Sequence, residues 1–338
     1  MKAAVVREPG KVEVAQVPIP VPDDYQALAK IRACAICNGT DSKILNHTLP
    51  FVEEREYPLI LGHESVGQVV KAGKKCRRFR EGDWVFEPMA PALGGFGSAW
   101  GGFAEYGLLD DLRSKAKDGI VVENIEAKDY QEPIPASVDP LLATVLIPLR
   151  ETLSVLMQAG VGKNDTLLVL GTGPAALAFI ENAKLLGARR VYVLGRREEC
   201  LRRARDFGAD EVIQLGRDTP ESVIRSSNPE GVDFIVDATG AREAIEAAVR
   251  CLREGGKFIP YGVFHKGDEV VLASVPGRFD VPVREWLAQE NVARFLKEGK
   301  LDPKRYISEV ISLRHISEAF AKIRERKVVK VVVDLEMN

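Results

Sequence analysis

The sequence predicts an α/β protein in two parts, a mostly β first portion and a parallel sheet wound by helices on both faces. Three observations support this. Strand-length apolar runs alternate with helix-length segments over residues 166–261, the pattern of a doubly wound sheet. The first 110 residues carry no long helical period. A chain of 338 residues also leaves room for two cores.

In order along the chain, short apolar runs at 3–6, 27–31, 65–70 and 83–86 alternate with turns such as PVPDD and FREGDW. They read as small sheets or a partly open barrel. Helical spacing follows over 140–160. A strand at 167–170 meets Gly171-Thr172-Gly173-Pro174-Ala175-Ala176, then a helix closed by Gly187 and a strand at 191–194. A helix at 198–207, strands at 211–215 and 232–236, a helix at 241–252 and a strand at 257–261 continue the alternation. Gly171, Gly195, Ala238, Thr239, Gly240 and Gly262 then fall at the carboxyl edge of the strands, where wound sheets bind ligands. Helices at 286–298 and 316–326 and an apolar strand at 328–335 end the sequence. They contain no glycine-rich phosphate turn and are expected to return to the first domain.

The turn at 171–176 has the chemistry of a dinucleotide site. Gly171 permits the tight turn, Gly173 lets the backbone approach a pyrophosphate, and small Ala176 lets helix and strand pack closely. Thr172, Pro174 and Ala175 complete the turn, and the diphosphate would rest on the free N–H groups of the helix that follows. An NAD site places a carboxylate at the end of the second strand, whereas this chain has Gly195-Arg196-Arg197. Guanidinium forks suit a 2′-phosphate, so NADP(H) is expected in preference to NAD(H). The other reading makes the two arginines a solvated helix start, paired with Glu198 and Glu199.

Composition is ordinary globular, with 46% hydrophobic and 28% charged residues and a formal net charge of −2. That balance gives no reason to expect a nucleic-acid or membrane partner. The opening MKAAVVREPG has no apolar segment of signal-peptide length, and no unbroken run of about eighteen apolar residues follows. A cytoplasmic protein is expected. The five cysteines, Cys34, Cys37, Cys76, Cys200 and Cys251, are too scattered for a disulfide scaffold. Cys34 and Cys37 form a CxxC without the second pair or the context of a zinc finger or a redox motif.

Ahead of the nucleotide turn lie Cys37, in ACAICNGTD, and His63 and Glu64, in LILGHESVGQVV. Thiolate, imidazole and carboxylate all bind zinc, and a catalytic zinc uses three protein ligands with one position open. Singly, a buried cysteine is usually a small hydrophobe and a lone histidine a packed residue. With FREGDWV, WGGFAEY, VLGTGPAALA and DATG in the same order, the chain resembles the zinc-containing medium-chain dehydrogenase/reductases, particularly the sugar and polyol dehydrogenase branch. The resemblance implies a GroES-like catalytic domain at 1–148 and 290–338, with a Rossmann dinucleotide-binding domain at 149–289. It implies zinc-assisted hydride transfer with a small polyol or sugar-type substrate, and a homodimer or homotetramer. Cys37 and His63 match the family's zinc ligands. Glu64 matches a neighbour that coordinates zinc in some members and stands behind the ligands in others.

Four departures qualify the match. The usual C-G-T-D run is one residue longer here, Cys37 to Asp41, so Thr40 is a less secure proton-relay hydroxyl; Asp41, Lys43 or His47 would lie further along. Residues 84–102, where many members carry four cysteines for a structural zinc, contain none, so one catalytic zinc and no structural zinc are expected. Relatives often place Glu or Gln where Ile147 stands, leaving Glu64 and water, or Glu151 one helical turn later, to complete the shell. Ala176 replaces the last glycine of the nucleotide turn. Trp100, Phe51 and Glu87 are equally explained as pocket lining or as packing. The competing functions are a zinc-free enone or quinone reductase of the same fold and a nucleotide-binding protein without catalysis.

Overall fold

The computed structural model describes residues 1–50, 52, 57–135, 138–264 and 268–337. The chain divides into two compact units, Met1–Ile147 with Ala293–Asn338, and Pro148–Val292.

The first unit begins with β1 (Lys2–Glu8), β2 (Lys11–Gln16), β3 (Gln26–Ala35), the short helix α1 (Thr40–Leu45), β4 (Leu59–Ile60) and β5 (Glu64–Ala72). It continues through β6 (Trp84–Phe86), β7 (Gly97–Ser98), β8 (Tyr106–Asp110), α2 (Leu112–Lys117) and the start of α3 (Pro140–Ala159). One sheet runs β2-β1-β4-β7. Alternate burial along β3 marks a sheet with unlike faces. By length and composition α3 is apolar enough to cross a membrane, but 72% of its most apolar window is buried within the protein.

The second unit holds β9 (Thr166–Leu170), α4 (Pro174–Leu185), β10 (Arg190–Gly195), α5 (Glu198–Asp206), β11 (Glu211–Gln214) and α6 (Pro220–Ser227). After them come β12 (Val232–Asp237), α7 (Arg242–Ala248), β13 (Leu252–Pro260) and the start of α8 (Gln289–Lys297), whose residues from Ala293 belong to the first unit. The strands form a five-stranded parallel sheet, β11-β10-β9-β12-β13. Each residue of β9 is buried, as befits a central strand covered on both faces. Asp233 anchors its start by accepting from the Thr166 amide at 2.8 Å and hydroxyl at 2.7 Å.

The chain closes with β14 (Ile307–Ser312), α9 (Ile316–Arg324) and β15 (Lys330–Asp334). These two strands complete the larger sheet of the first unit, ordered β14-β15-β3-β5-β6, with β8 paired to β3 off that path.

Two local expectations change. The helix expected over 241–252 ends at Ala248 and tightens into a 3-10 turn at Val249–Cys251. Leu252 already pairs with Val232, and the following register shift takes up Gly255, whose φ is +71°. Parallel pairing thus overrides an alanine-rich helical pattern. The helix α6, absent from the periodicity reading, starts at a proline in its first turn and buries Pro220 and Ile224.

Candidate active site

The three metal-type residues converge because three strands end together. Register pairs Ala35 of β3 with Glu64 of β5 on one side and Val332 of β15 on the other. Continuing each register brings Lys330 and the His63–Glu64 corner level with the residues just past Ala35. Ile36 N–H donates to the Val331 carbonyl at 2.9 Å, extending the pairing. Gly62 turns the chain into this corner with a φ of +100°, where a Cβ would lie 2.7 Å from the Phe103 amide nitrogen. The ligand atoms of Cys37, His63 and Glu64 all lie within 4.8 Å of one another.

Asp41, in the first turn of α1, ties the corner together. Its carboxylate accepts the Cys37 amide at 2.8 Å, and Oδ1 sits 3.4 Å from His63 Nδ1. With Nδ1 facing a carboxylate, Nε2 is the imidazole nitrogen left for an ion, an arrangement common behind metal-bound histidines. Burial pushes the His63 imidazolium pKa down, but Asp41 and Cys37 outweigh it and hold the pKa well above the usual histidine range.

Glu64 has a partner that no local motif announces. Lys330 Nζ donates to Glu64 Oε2, and the two side chains are only 2% and 3% exposed. Burial opposes the Lys330 ammonium, yet Glu64 and Cys37 keep its pKa above the ordinary lysine value. The pair offsets the charge that thiolate and carboxylate bring into a buried corner. The donor set, one sulfur, one nitrogen and one carboxylate oxygen at close range, fits a zinc-type ion.

The other singled-out residues fall as follows. Thr40 opens α1, directly before Asp41. His47, with a φ of +55°, stacks on Tyr57 at 3.6 Å between ring centroids. Ile147 is fully buried, and Glu151 accepts the Tyr261 hydroxyl at 2.7 Å. Trp100, also at positive φ, sets its ring 5.1 Å from that of His63 and lines a cavity of about 460 Å³ with Val52, Leu59, Met89 and Tyr130. Phe51 lies outside the described residues. Glu87 is buried, at a φ of +58°. The cysteine-free segment 84–102 is pinned by protein hydrogen bonds, including Gly97 N–H to the Pro58 carbonyl at 2.8 Å and Ala99 N–H to the Ile60 carbonyl at 2.8 Å. All five cysteines are free.

In the second unit the turn after β9 has room for a diphosphate. Gly171 takes a φ of +111°, and a Cβ there would meet Thr239 Cγ2 at 2.8 Å. Around a Cβ built on Gly173 there is nothing within 4 Å. Gly173 caps α4 without a side-chain hydrogen bond and Pro174 occupies its first turn, so no side chain caps the amides at the helix start. The neighbouring loop is rigid. Asp237, fully buried, accepts from the Thr239 amide at 2.9 Å, the Thr239 hydroxyl at 2.6 Å and the Gly240 amide. A Cβ on Gly262 would strike the Gly240 nitrogen at 2.2 Å, so Gly262 packs directly on this loop. A Cβ on Gly195 would meet Thr172 Cγ2 at 2.7 Å, which excludes any longer residue without a shift. Beyond it, Arg196 pairs with Glu243 of α7.

Known proteins share this organisation. The alcohol dehydrogenase GroES-like domain family matches residues 23–114, and the zinc-binding dehydrogenase family matches residues 174–283. Sorbitol dehydrogenase of Bacillus subtilis is 25% identical over 341 residues, covering 97% of this chain and 94% of its own. NADP-dependent isopropanol dehydrogenase of Thermoanaerobacter brockii is 26% identical over 354 residues, covering 96% and 97%. The solved alcohol dehydrogenase TADH from Thermus sp. ATN1 superposes with a TM-score of 0.78 at 23% identity, covering 99% of each chain.

Proposed function

We propose that this chain, which belongs to the zinc-type medium-chain dehydrogenases and is an oxidoreductase of the alcohol and polyol kind, interconverts a secondary alcohol and its ketone on a polyol, sugar or cyclitol. One zinc ion and NADP(H), in preference to NAD(H), serve the reaction. The observation that carries this reading is the meeting of Cys37, His63 and Glu64 within 4.8 Å, in a chain that also carries the glycine turn at 171–176. Relatives named for sorbitol and for isopropanol share one feature, a secondary hydroxyl, which favours that group as the reacting centre.

The Cys37 thiolate, His63 Nε2 and the Glu64 carboxylate would hold the ion. Zinc bound there supplies Lewis acidity, lowering a hydroxyl pKa in one direction and polarising a carbonyl in the other. Asp41 fixes the His63 ring and its tautomer. Lys330 aims the Glu64 carboxylate through their buried ion pair. The Thr40 hydroxyl takes the alcohol proton and passes it outward. In the second unit Gly171, Thr172, Gly173, Pro174 and Ala175 cradle the pyrophosphate, with Gly195, Ala238, Thr239, Gly240 and Gly262 shaping the adjoining edge. Arg196 and Arg197 would hold the 2′-phosphate. The nicotinamide brings the hydride chemistry, which the fold positions.

The test is a panel of polyols, sugars, cyclitols and simple alcohols assayed with NADP and NAD, before and after chelation. Turnover of a secondary alcohol with NADP, lost on chelation and restored by zinc, is expected. Turnover that survives complete metal removal overturns the zinc mechanism and favours the metal-free reductase.

A further inference from the structure

The dinucleotide fingerprint lacks its acidic residue at the end of the second strand, where Gly195 stands. The fold places a carboxylate at the same edge from a different element. In the sheet, β10 and β12 flank β9 on its two sides, so the segments that follow them border the glycine turn after β9. Arg196 follows β10, and Glu243 lies in the first turn of α7 after β12. The two side chains, carried by the segments that follow these flanking strands, meet in an ion pair at 60% and 64% exposure. Neither Glu198 nor Glu199 takes that place. Arg197, also exposed, has no ion-pair partner among the described residues.

This arrangement answers differently to the two nicotinamide dinucleotides. A ribose 2′-hydroxyl needs an acceptor, and Gly195 offers no side chain to serve. A carboxylate held beside Arg196 can accept that proton. A 2′-phosphate needs the guanidinium forks, and it must then take Arg196 from Glu243 and sit close to a second negative charge. We propose that Glu243 is a cofactor-selectivity residue. It supplies the hydroxyl acceptor missing from the end of β10 and competes with a 2′-phosphate for Arg196, so the NADP preference conferred by the arginines is narrowed and NAD remains usable. The inference rests on the dinucleotide reading of this unit and moves the selectivity determinant from a pair of arginines to a set of three residues, Arg196, Arg197 and Glu243.

Fluorescence titration of NADPH and NADH against the wild-type protein, Glu243→Gln and the double variant Arg196→Ala/Arg197→Ala tests it without turnover. For an exposed charge, Glu243→Gln should tighten NADPH and weaken NADH by about two- to five-fold each, with the NADPH effect shrinking as salt is raised. The double arginine variant should weaken NADPH far more than NADH. An unchanged NADPH/NADH ratio in Glu243→Gln, with NADPH binding lost in the arginine variant, overturns the role of Glu243 alone. Equal affinities for both cofactors in wild type and in both variants overturn the 2′-phosphate reading as well.

Discussion

Replacing Lys330 by methionine tests the electrostatic design of the metal corner, because it removes the cation and keeps most of the side-chain volume. In the metal-free protein the Glu64 carboxylate, 3% exposed, then faces the Cys37 sulfur with no opposing ammonium. Stranding one member of a buried pair costs about 3–5 kcal/mol. Zinc at one hundred times its dissociation constant should return about 2.7 kcal/mol by mass action, so the defect is largest after chelation. Adding Glu64→Gln removes the stranded charge and should recover most of the loss. The assay is urea denaturation of chelated and zinc-loaded protein, followed by tryptophan fluorescence. Trp84 and Trp100 share the unit that holds the pair, and Trp286 lies outside it. A chelated Lys330→Met protein as stable as wild type, or no recovery on adding Glu64→Gln, would falsify the account of Lys330 as the counter-charge of Glu64.

Two further outcomes follow from the same geometry. Cys37→Ser should abolish turnover while leaving NADPH affinity within about two-fold, since an altered ligand changes the metal site and spares the nucleotide turn; normal activity in that variant removes zinc from the reaction. Asp233 supplies a pH test. Burial raises its pKa, but hydrogen bonds from Thr166 and the Arg253 guanidinium hold it below the usual aspartate value. Because the folded pKa is the lower one, its stabilisation is present above the unfolded value of about 3.9 and fades as pH falls through the folded value. Asp233→Asn should cost about 1–3 kcal/mol at neutral pH and flatten the acid limb of the stability profile; an acid limb identical to wild type sinks the assignment.

Local chemistry made much of this protein legible. The turn Gly171 to Ala176 could be read because each role in it is set by its immediate neighbours, and the strand and helix around it follow within about thirty residues. The Cys37, His63 and Glu64 trio was legible as a set of residue types, while their meeting depends on the register of β3 with β5, which sequence spacing does not encode. Lys330 lies 266 residues from Glu64, in a run of valines that reads only as a buried strand. Asp41 was visible as a relay candidate, and its grip on the Cys37 amide and His63 emerged only once α1 was folded. The overrun at 241–252 has the opposite cause. Alanine-rich helical periodicity is a local preference, and pairing of Leu252 with Val232 is a tertiary one that wins.

The strand order of the larger sheet bears on synthesis. The inner strand β3 and the corner built on Cys37, His63 and Glu64 leave the ribosome 266 residues or more before Lys330 of β15, the strand that covers one edge of β3. Until then the nascent segment presents an unpaired strand edge and an uncompensated acid, features that invite misassociation. The intervening unit can fold first, because its five strands are contiguous in the chain. Folding of the reactive corner is thereby deferred until β15 has been made, and deletion of residues 329–338 should disable it while sparing the nucleotide unit.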